Sequence, residues 1–380
     1  MMRVGFGVTV LARCLGSGGV DGIGSYTREL MARLTRADGV DLLPMSFGDA
    51  LPDIDGNAHP TLQCGRFAPA AAIAALSGLS FRGTAGIAKK IDLMHATDHL
   101  IPQFGKLPVV ATLMDAIPLS HPEWAAPTLR RVKNALWRRS VHWASHVITI
   151  SSYSKQQIVQ HFDVPPEKIS VIPLGVDQRW FGPLASDVIG QTLRRYGLPD
   201  QFFLFVGTLQ PRKNIARVIE AYRSLRPGVS NRVPLVIVGG AGWQCEQIVD
   251  ALVSGAYGRS VVWLRHVPDD DLLALVKAAT ALVFPSLYEG FGLPVLEAFA
   301  AGTPVITSNG TALPEVAGDA AMLVDPRDTG AIAAAMLDVL ENPELVNSLR
   351  EKGYLRARAH SWDATAVLTQ GVYRRVLGHP

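Results

Sequence analysis

The 380-residue sequence predicts an α/β protein made of two doubly wound, parallel-sheet units. Three observations carry this. Short β-branched apolar runs recur along the chain, longer helix-like patterns separate them, and the rhythm restarts past the middle. Strands covered on both faces read as continuous apolar runs, and parallel strands need helical crossovers between them. The length suits two domains, and a hydrophobic fraction of 48% lets each bury a core.

In the first half the strand-like runs are 4–11, 91–96, 109–113, 146–150 and 169–173, and helical patterns cover 23–34, 127–144 and 155–162. A second strand begins at Asp41. In the second half the runs are 202–206, 234–238, 261–264, 281–285, 304–307 and 321–324. The join falls between Gly175 and Pro199, where Gly182, Pro183, Gly190 and Gly197 interrupt any strand pattern. Residues 361–377 are amphipathic, with Trp362, Ala366, Leu368, Val372 and Val376 available for packing. Ligands in such folds sit at the carboxyl ends of the strands, here in a cleft between the two units.

Charge is modest and uneven: 17 Lys/Arg stand against 13 Asp/Glu in residues 1–175, and 19 against 20 after them. The near balance and the lack of a basic aromatic platform argue against nucleic acid. A mildly basic first half suits an anionic membrane or a phosphorylated acceptor, and equally ordinary surface scatter. Cys14, Cys64 and Cys245 have neither zinc nor disulfide spacing, which points to a reducing, cytoplasmic compartment. The N-terminus does not read as a signal peptide: Arg13 ends its apolar run. The stretch 67–81 is too short to span a bilayer; it reads as a core or cleft-lining helix, or as one lying at a membrane interface. Residues 130–139 form a basic helix on which Arg130, Lys133, Trp137 and Arg138 share a side, either solvated or resting on anionic headgroups.

Three motifs carry chemistry. The strand 281–285 delivers the chain to Tyr288, Glu289, Gly290, Phe291, Gly292 and Leu293, then to a helix with Pro294 at its start and Glu297 in its first turns. Glycines there let the backbone approach a ligand, and a helix start offers N–H groups and a positive dipole end. A carboxylate such as Glu297 can accept two hydrogen bonds from a cis-diol. The second motif, Gly207-Thr208-Leu209-Gln210-Pro211-Arg212-Lys213-Asn214, follows the strand 202–206. Two adjacent cations at a strand's carboxyl end can neutralise a diphosphate, and breaking a glycosidic bond to phosphate builds charge that needs them. The third is the loop 16–24, with Gly19, Gly22 and Gly24, read as following the first strand and opening a helix. Each motif has a plainer reading: a helix-start carboxylate, a solvated cation pair, an ordinary turn.

Taken together, GGVDGIGSYTREL, VIPLGVD, VGTLQPRKN, FPSLYEGFGLPVLEAFAAGTPVI and SWDATA resemble glycosyltransferase family 4, a large retaining family of the GT-B fold with two Rossmann-like domains, over nearly the whole chain. The Glu289–Glu297 spacing matches that family's two-glutamate motif. The resemblance implies an acceptor-binding domain over 1–180, a donor-binding domain over 195–360, and a terminal helix, 361–380, packing back on the first. It implies that Arg212 and Lys213 grip the donor diphosphate, Glu297 holds the ribose, and Glu289 faces the sugar or its phosphate. Gly290, Phe291 and Gly292 would meet the sugar through their amides. Gly19, Gly22 and Gly24 would approach the donor from the other domain.

One position departs. The family often has His-Asp after the strand 109–113, where this chain has Met114-Asp115. Asp115 keeps a place near sugar or acceptor, and His99, His121 or His95 is left to stand in for the histidine. No metal site is expected: Asp53-Ile54-Asp55 lies in a polar turn, and Asp269-Asp270-Asp271 opens a helix, where carboxylates favour the dipole. No cofactor is expected beyond a nucleoside diphosphate sugar as donor. The resemblance points first to GDP-mannose, then to UDP-sugars, with a saccharide or lipid-linked saccharide as acceptor at the inner membrane face. An epimerase or phosphorylase on this fold, or a non-catalytic nucleotide-sugar-binding protein, remain the alternatives.

Overall fold

The computed structural model describes residues 1–16, 21–53, 61–124, 129–230 and 232–379. The chain forms two compact units, Met1–Gly175 with Trp362–Pro380, and Val176–Ser361. Each is a parallel sheet covered by helices.

The first unit's sheet holds β1 (Met2–Gly7), β2 (Val40–Ser46), β3 (Leu62–Gln63), β4 (Leu93–Ala96), β5 (Val109–Thr112), β6 (His146–Thr149) and β7 (Ile169–Val171). Their order is β3-β2-β1-β4-β5-β6-β7, so the order of strand addition reverses between the parallel neighbours β1 and β4, where Val4 pairs with Leu93. The strand expected over 4–11 stops at Gly7, and Thr9–Gly16 is a helix burying Val10, Leu11 and Ala12. A short apolar run fits either period, and only packing decides it. The glycine motif therefore follows a helix rather than the first strand. Gly22 and Gly24 are not loop residues either: the helix Gly22–Leu34 begins there, capped by Asp21.

A buried polar chain ties the last helix, Trp362–Leu377, into this unit. The Tyr26 hydroxyl lies 2.9 Å from Thr112 Oγ1, which lies 2.8 Å from His95 Nε2, and His95 Nδ1 lies 2.6 Å from the Tyr373 hydroxyl. Burial pushes the His95 imidazole down to about 3, so it is neutral and serves the core, not a substrate. Trp362, Ala366 and Val372 are buried as expected, whereas Leu368 is exposed.

The second unit's sheet holds β8 (Phe203–Val206), β9 (Leu235–Val238), β10 (Val261–Leu264), β11 (Ala281–Phe284), β12 (Val305–Ser308) and β13 (Met322–Val324). The order is β10-β9-β8-β11-β12-β13, with the reversal between β8 and β11. Phe203, Phe205, Ile237, Val283 and Ile306 from the strands pack with Ile215, Tyr222 and Met336 from the helices. The join contains an unexpected helix, Ser186–Tyr196, ended by Gly197 at φ 64°. Its end is anchored to the acidic helix start: Asp271 Oδ2 accepts from Arg195 Nη1 at 2.6 Å and from the Tyr196 hydroxyl at 2.8 Å. Asp271 thus holds a neighbouring helix, beyond the dipole role expected of it.

Candidate functional site

In the second unit the β8 and β11 loops meet because their strands are neighbours at the sheet's reversal, the usual ligand position in such folds. The Leu287 N–H donates to the Arg212 carbonyl at 2.7 Å, locking one loop to the other. Arg212 and Lys213 lie in a single turn, Pro211–Lys213, after which Asn214 adopts φ 62°. The buried Asn214 amide donates to the carbonyls of Pro285 at 2.9 Å and Pro326 at 2.6 Å, fixing where the turn ends.

The two cations converge on one carboxylate. Lys213 Nζ lies 2.7 Å from Glu289 Oε1, and Arg212 Nη1 lies 3.1 Å from Glu289 Oε2. Arg212 Nη1 also donates to the Tyr288 carbonyl at 3.2 Å, and Lys213 Nζ sits 4.7 Å from the Phe284 ring centre. Burial alone would push the Glu289 carboxyl up, but Lys213 and Arg212 together hold it below its usual range. Burial lowers the Lys213 ammonium, with Glu289 pulling the other way. Two cations against one anion leave a fixed positive excess at the carboxyl ends of β8 and β11. That excess suits a diphosphate.

Beneath it, Tyr288, Glu289, Gly290, Phe291 and Gly292 are all buried. Gly292 takes φ 122° just before the helix Leu293–Ala300, and a Cβ there would meet Leu313 Cδ2 at 2.7 Å. Leu293 is half-buried at the helix start, and Glu297 lies one turn on. Burial pushes the Glu297 carboxyl up to about 7; Arg179 opposes the shift, and Asp269 and Asp177 add to it. Gly207 takes φ 151°, and Thr208 follows it on the same loop.

Sequence reasoning passed over two neighbours. The glycines after β9 let that loop press on the β8 loop: a Cβ on Gly239 would meet the Gly207 carbonyl oxygen at 2.2 Å, and one on Gly242 the Leu209 oxygen at 2.4 Å. The Gly-Gly-Ala-Gly run directly after an apolar strand was the available signal. The β12 loop also reaches the site, since Thr311 Oγ1 accepts from the Glu289 N–H at 3.3 Å. Nothing in its composition announces that.

The first unit carries a cavity of about 520 Å³ lined by Ile23, Phe67, Asp98, His99, Met114, Asp115, Lys133 and Trp137, among others. Three sequence candidates, His99, Met114 and Asp115, thus share one space. Asp115 Oδ1 accepts from the Ile117 N–H at 3.0 Å, and the Met114 carbonyl accepts from Ser154 Oγ at 2.8 Å. His121 is not among the lining residues; its ring stacks on Trp124 at 4.2 Å and Nδ1 lies 3.0 Å from Glu123. The Gly24 N–H is taken by Asp21 at 2.8 Å. Gly19 and Asp55 lie outside the described residues. The basic helix, Arg130–Val141, turns Arg130, Lys133 and Trp137 towards the cavity, while Arg138 is on its exposed side. The four do not act as one face, because Ser140 and Val141 are buried and set the helix's rotation.

Family models match both halves of the chain. Residues 195–356 match the family model "Glycosyl transferases group 1", and residues 20–180 match "Glycosyltransferase Family 4". The chain is 30% identical to O-antigen chain mannosyltransferase B of Escherichia coli over 366 residues, 93% of this chain and 96% of that protein. It is 30% identical to the MMP alpha-(1->4)-mannosyltransferase of Mycolicibacterium hassiacum over 67% of this chain and 60% of that protein. Among solved structures, Anabaena HepE in complex with UDP and glucose superposes with a TM-score of 0.75 at 18% identity, covering 99% of this chain and 100% of that one. The chain therefore belongs to glycosyltransferase family 4, with the GT-B fold, and is a glycosyltransferase.

Proposed function

We propose that this enzyme transfers mannose from GDP-mannose to a saccharide acceptor carried on a lipid, at the inner membrane face, during cell-surface polysaccharide assembly. The relatives named as mannosyltransferases support the sugar and the pathway class. The observation that carries the site assignment is the Arg212–Glu289–Lys213 cluster at the β8/β11 reversal.

In this reading the donor diphosphate takes the positive excess of Arg212 and Lys213. Glu289 keeps both cations aimed before the donor arrives and meets the sugar side of the diphosphate. Glu297 accepts hydrogen bonds from the ribose hydroxyls. The amides of Gly290, Phe291 and Gly292, with Gly207 and Thr208, close around the donor. The acceptor hydroxyl oxygen bonds to the anomeric carbon as the bond from that carbon to the phosphate oxygen breaks. The acceptor's proton passes to the departing phosphate oxygen on the same face, so configuration is retained. The protein supplies position and fixed charge, and neither metal nor cofactor is needed. Asp115, His99 and Met114 line the space for the acceptor sugar.

A thermal-shift screen against GDP, UDP and ADP tests the base, because a ligand of the folded state raises apparent stability by mass action. GDP should give the largest rise. A larger rise with UDP would replace GDP-mannose by a UDP-sugar, the chemistry of the HepE complex. Turnover of GDP-mannose that releases GDP only when acceptor is present excludes an epimerase and a non-catalytic binder.

A further inference from the structure

Two neighbouring stretches of the first unit hold no acidic residue at all. Residues 56–91 contain Arg66, Arg82, Lys89 and Lys90, and residues 124–162 contain six Lys/Arg, with no Asp or Glu in either. The rest of residues 1–175 is net acidic by comparison, so the unit's positive charge is concentrated here. The fold brings the two together. The helix Phe67–Ser77 lies beside Arg130–Val141, with Ala71, Ala74 and Phe81 packed against Leu136 and Trp143. The Phe81 and Trp143 ring centres are 6.0 Å apart.

Their outward sides are complementary in kind. On Phe67–Ser77 the exposed stripe is Pro69, Ala72, Ile73 and Leu76, at helical spacing and entirely apolar, with Leu79 just beyond. Ile73 is 62% exposed, Leu76 90% and Leu79 66%. That inverts the usual rule for a surface helix, whose outer stripe is polar. On Arg130–Val141 the exposed residues are Arg131, Val132, Lys133, Ala135, Arg138 and Arg139, with Leu129 exposed just before them. Elsewhere among the described residues, exposed large apolar side chains occur singly or in pairs, as on any protein surface. An apolar stripe beside a face whose only charges are cationic is the arrangement by which a protein lies on an anionic interface: the first enters the acyl boundary, the cations of the second meet the phosphates.

We propose that the outer faces of the helices Phe67–Ser77 and Arg130–Val141 form a docking surface for an anionic lipid bilayer, with Ile73, Leu76 and Leu79 entering the membrane and Arg131, Arg138 and Arg139 on its headgroups. The same two helices wall the cavity described above, through Phe67, Lys133 and Trp137, so a docked enzyme holds that cavity beside the lipid surface. This deepens the reading of a lipid-carried acceptor and rests on it only for the acceptor's location. Vesicle binding without any sugar donor tests the surface separately.

Sedimentation with vesicles of 30% phosphatidylglycerol in phosphatidylcholine, against pure phosphatidylcholine, measures the contact in the full chain. Binding is expected to the anionic vesicles only and to weaken with added salt. Each cation removed should cost roughly five-fold in partition, so Arg131→Gln/Arg138→Gln/Arg139→Gln should lose on the order of 100-fold. Leu76→Asp should release the protein from vesicles while its thermal shift with nucleotide stays as in wild type, since Leu76 touches no core. Three results would overturn the proposal: no binding to anionic vesicles, equal binding by the triple variant, or a concentration-dependent dimer that Leu76→Asp abolishes. The last would give the face to a second copy of the chain. Active transfer to a water-soluble acceptor without vesicle binding would sink the docking surface and leave the proposed reaction standing.

Discussion

Both units carry a candidate site at the carboxyl ends of strands beside a sheet reversal, β8/β11 in one and β1/β4 in the other, and the two are built from different materials. In Val176–Ser361 the site is made of ion pairs and strained glycine: Glu289 between two cations, Gly292 at φ 122°, and β8 and β9 loops pressed together. In Met1–Gly175 it is a cavity whose walls mix apolar side chains, Ile23, Phe67 and Trp137 among them, with Asp98, Asp115, Arg130 and Lys133 from separate parts of the chain. A charged, fixed diphosphate needs charge held in place beforehand. A hydroxyl acceptor needs mainly shape and a way in.

The comparison breaks first at Glu289. Glu289→Gln removes the partner of two largely buried cations and should cost about 3–5 kcal/mol of stability, read by urea unfolding. Asp115→Asn in the cavity should cost less than about 1 kcal/mol. Equal losses would mean that the two sites are not built differently. Next is Lys213→Ala, which should lower the transfer rate on the order of 10²-fold or more, by analogy with removing an oxyanion donor; steady-state kinetics with saturating donor reads it. Gly292→Ala must force a side chain into positive φ and against Leu313. About 1–3 kcal/mol should be lost, together with donor affinity.

Acidity distinguishes the units by sign. His95 has a folded-state value pushed down to about 3 from 6.5, so its contribution is complete above pH 6.5 and is lost as pH falls towards 3. Glu297 has a value pushed up to about 7 from 4.5, so it penalises the fold increasingly as pH rises from 4.5 to 7. His95→Gln should flatten the acid-side loss of the first unit, and Glu297→Gln the opposite slope of the second, in unfolding followed from pH 4 to 7.5. A common slope in both variants would contradict the assignment. This effect separates the units most cleanly.

Legibility in the sequence followed the same division. The second unit's strands were readable because the inner ones, β8, β9, β11 and β12, are buried on both faces, and its site was readable because cations, glycines and glutamates lie on two loops with distinctive composition. What composition cannot state is which loops touch: the Gly239 and Gly242 approach, and the reach of Thr311 to Glu289, exist only once β8, β9, β11 and β12 are side by side. In the first unit, residues 4–11 satisfied both periods, so the helix Thr9–Gly16 was lost and with it the correct setting of Gly22 and Gly24. The rotation of Arg130–Val141 depended on Val141 being buried in a cluster with strand residues such as Met94, Val109 and Val147, which local spacing does not encode. The helix Ser186–Tyr196 was hidden by its flanking glycines and by an anchor, Asp271, some 75 residues away.

The most direct test is calorimetric binding of whichever of GDP, UDP and ADP stabilises the protein most, set beside its free nucleoside. Lys213→Ala should weaken the diphosphate at least tenfold and leave the nucleoside unchanged, whereas Glu297→Gln should weaken both. Diphosphate affinity unchanged in both variants would contradict the claim that these side chains, on two adjoining loops and one helix, hold a single donor.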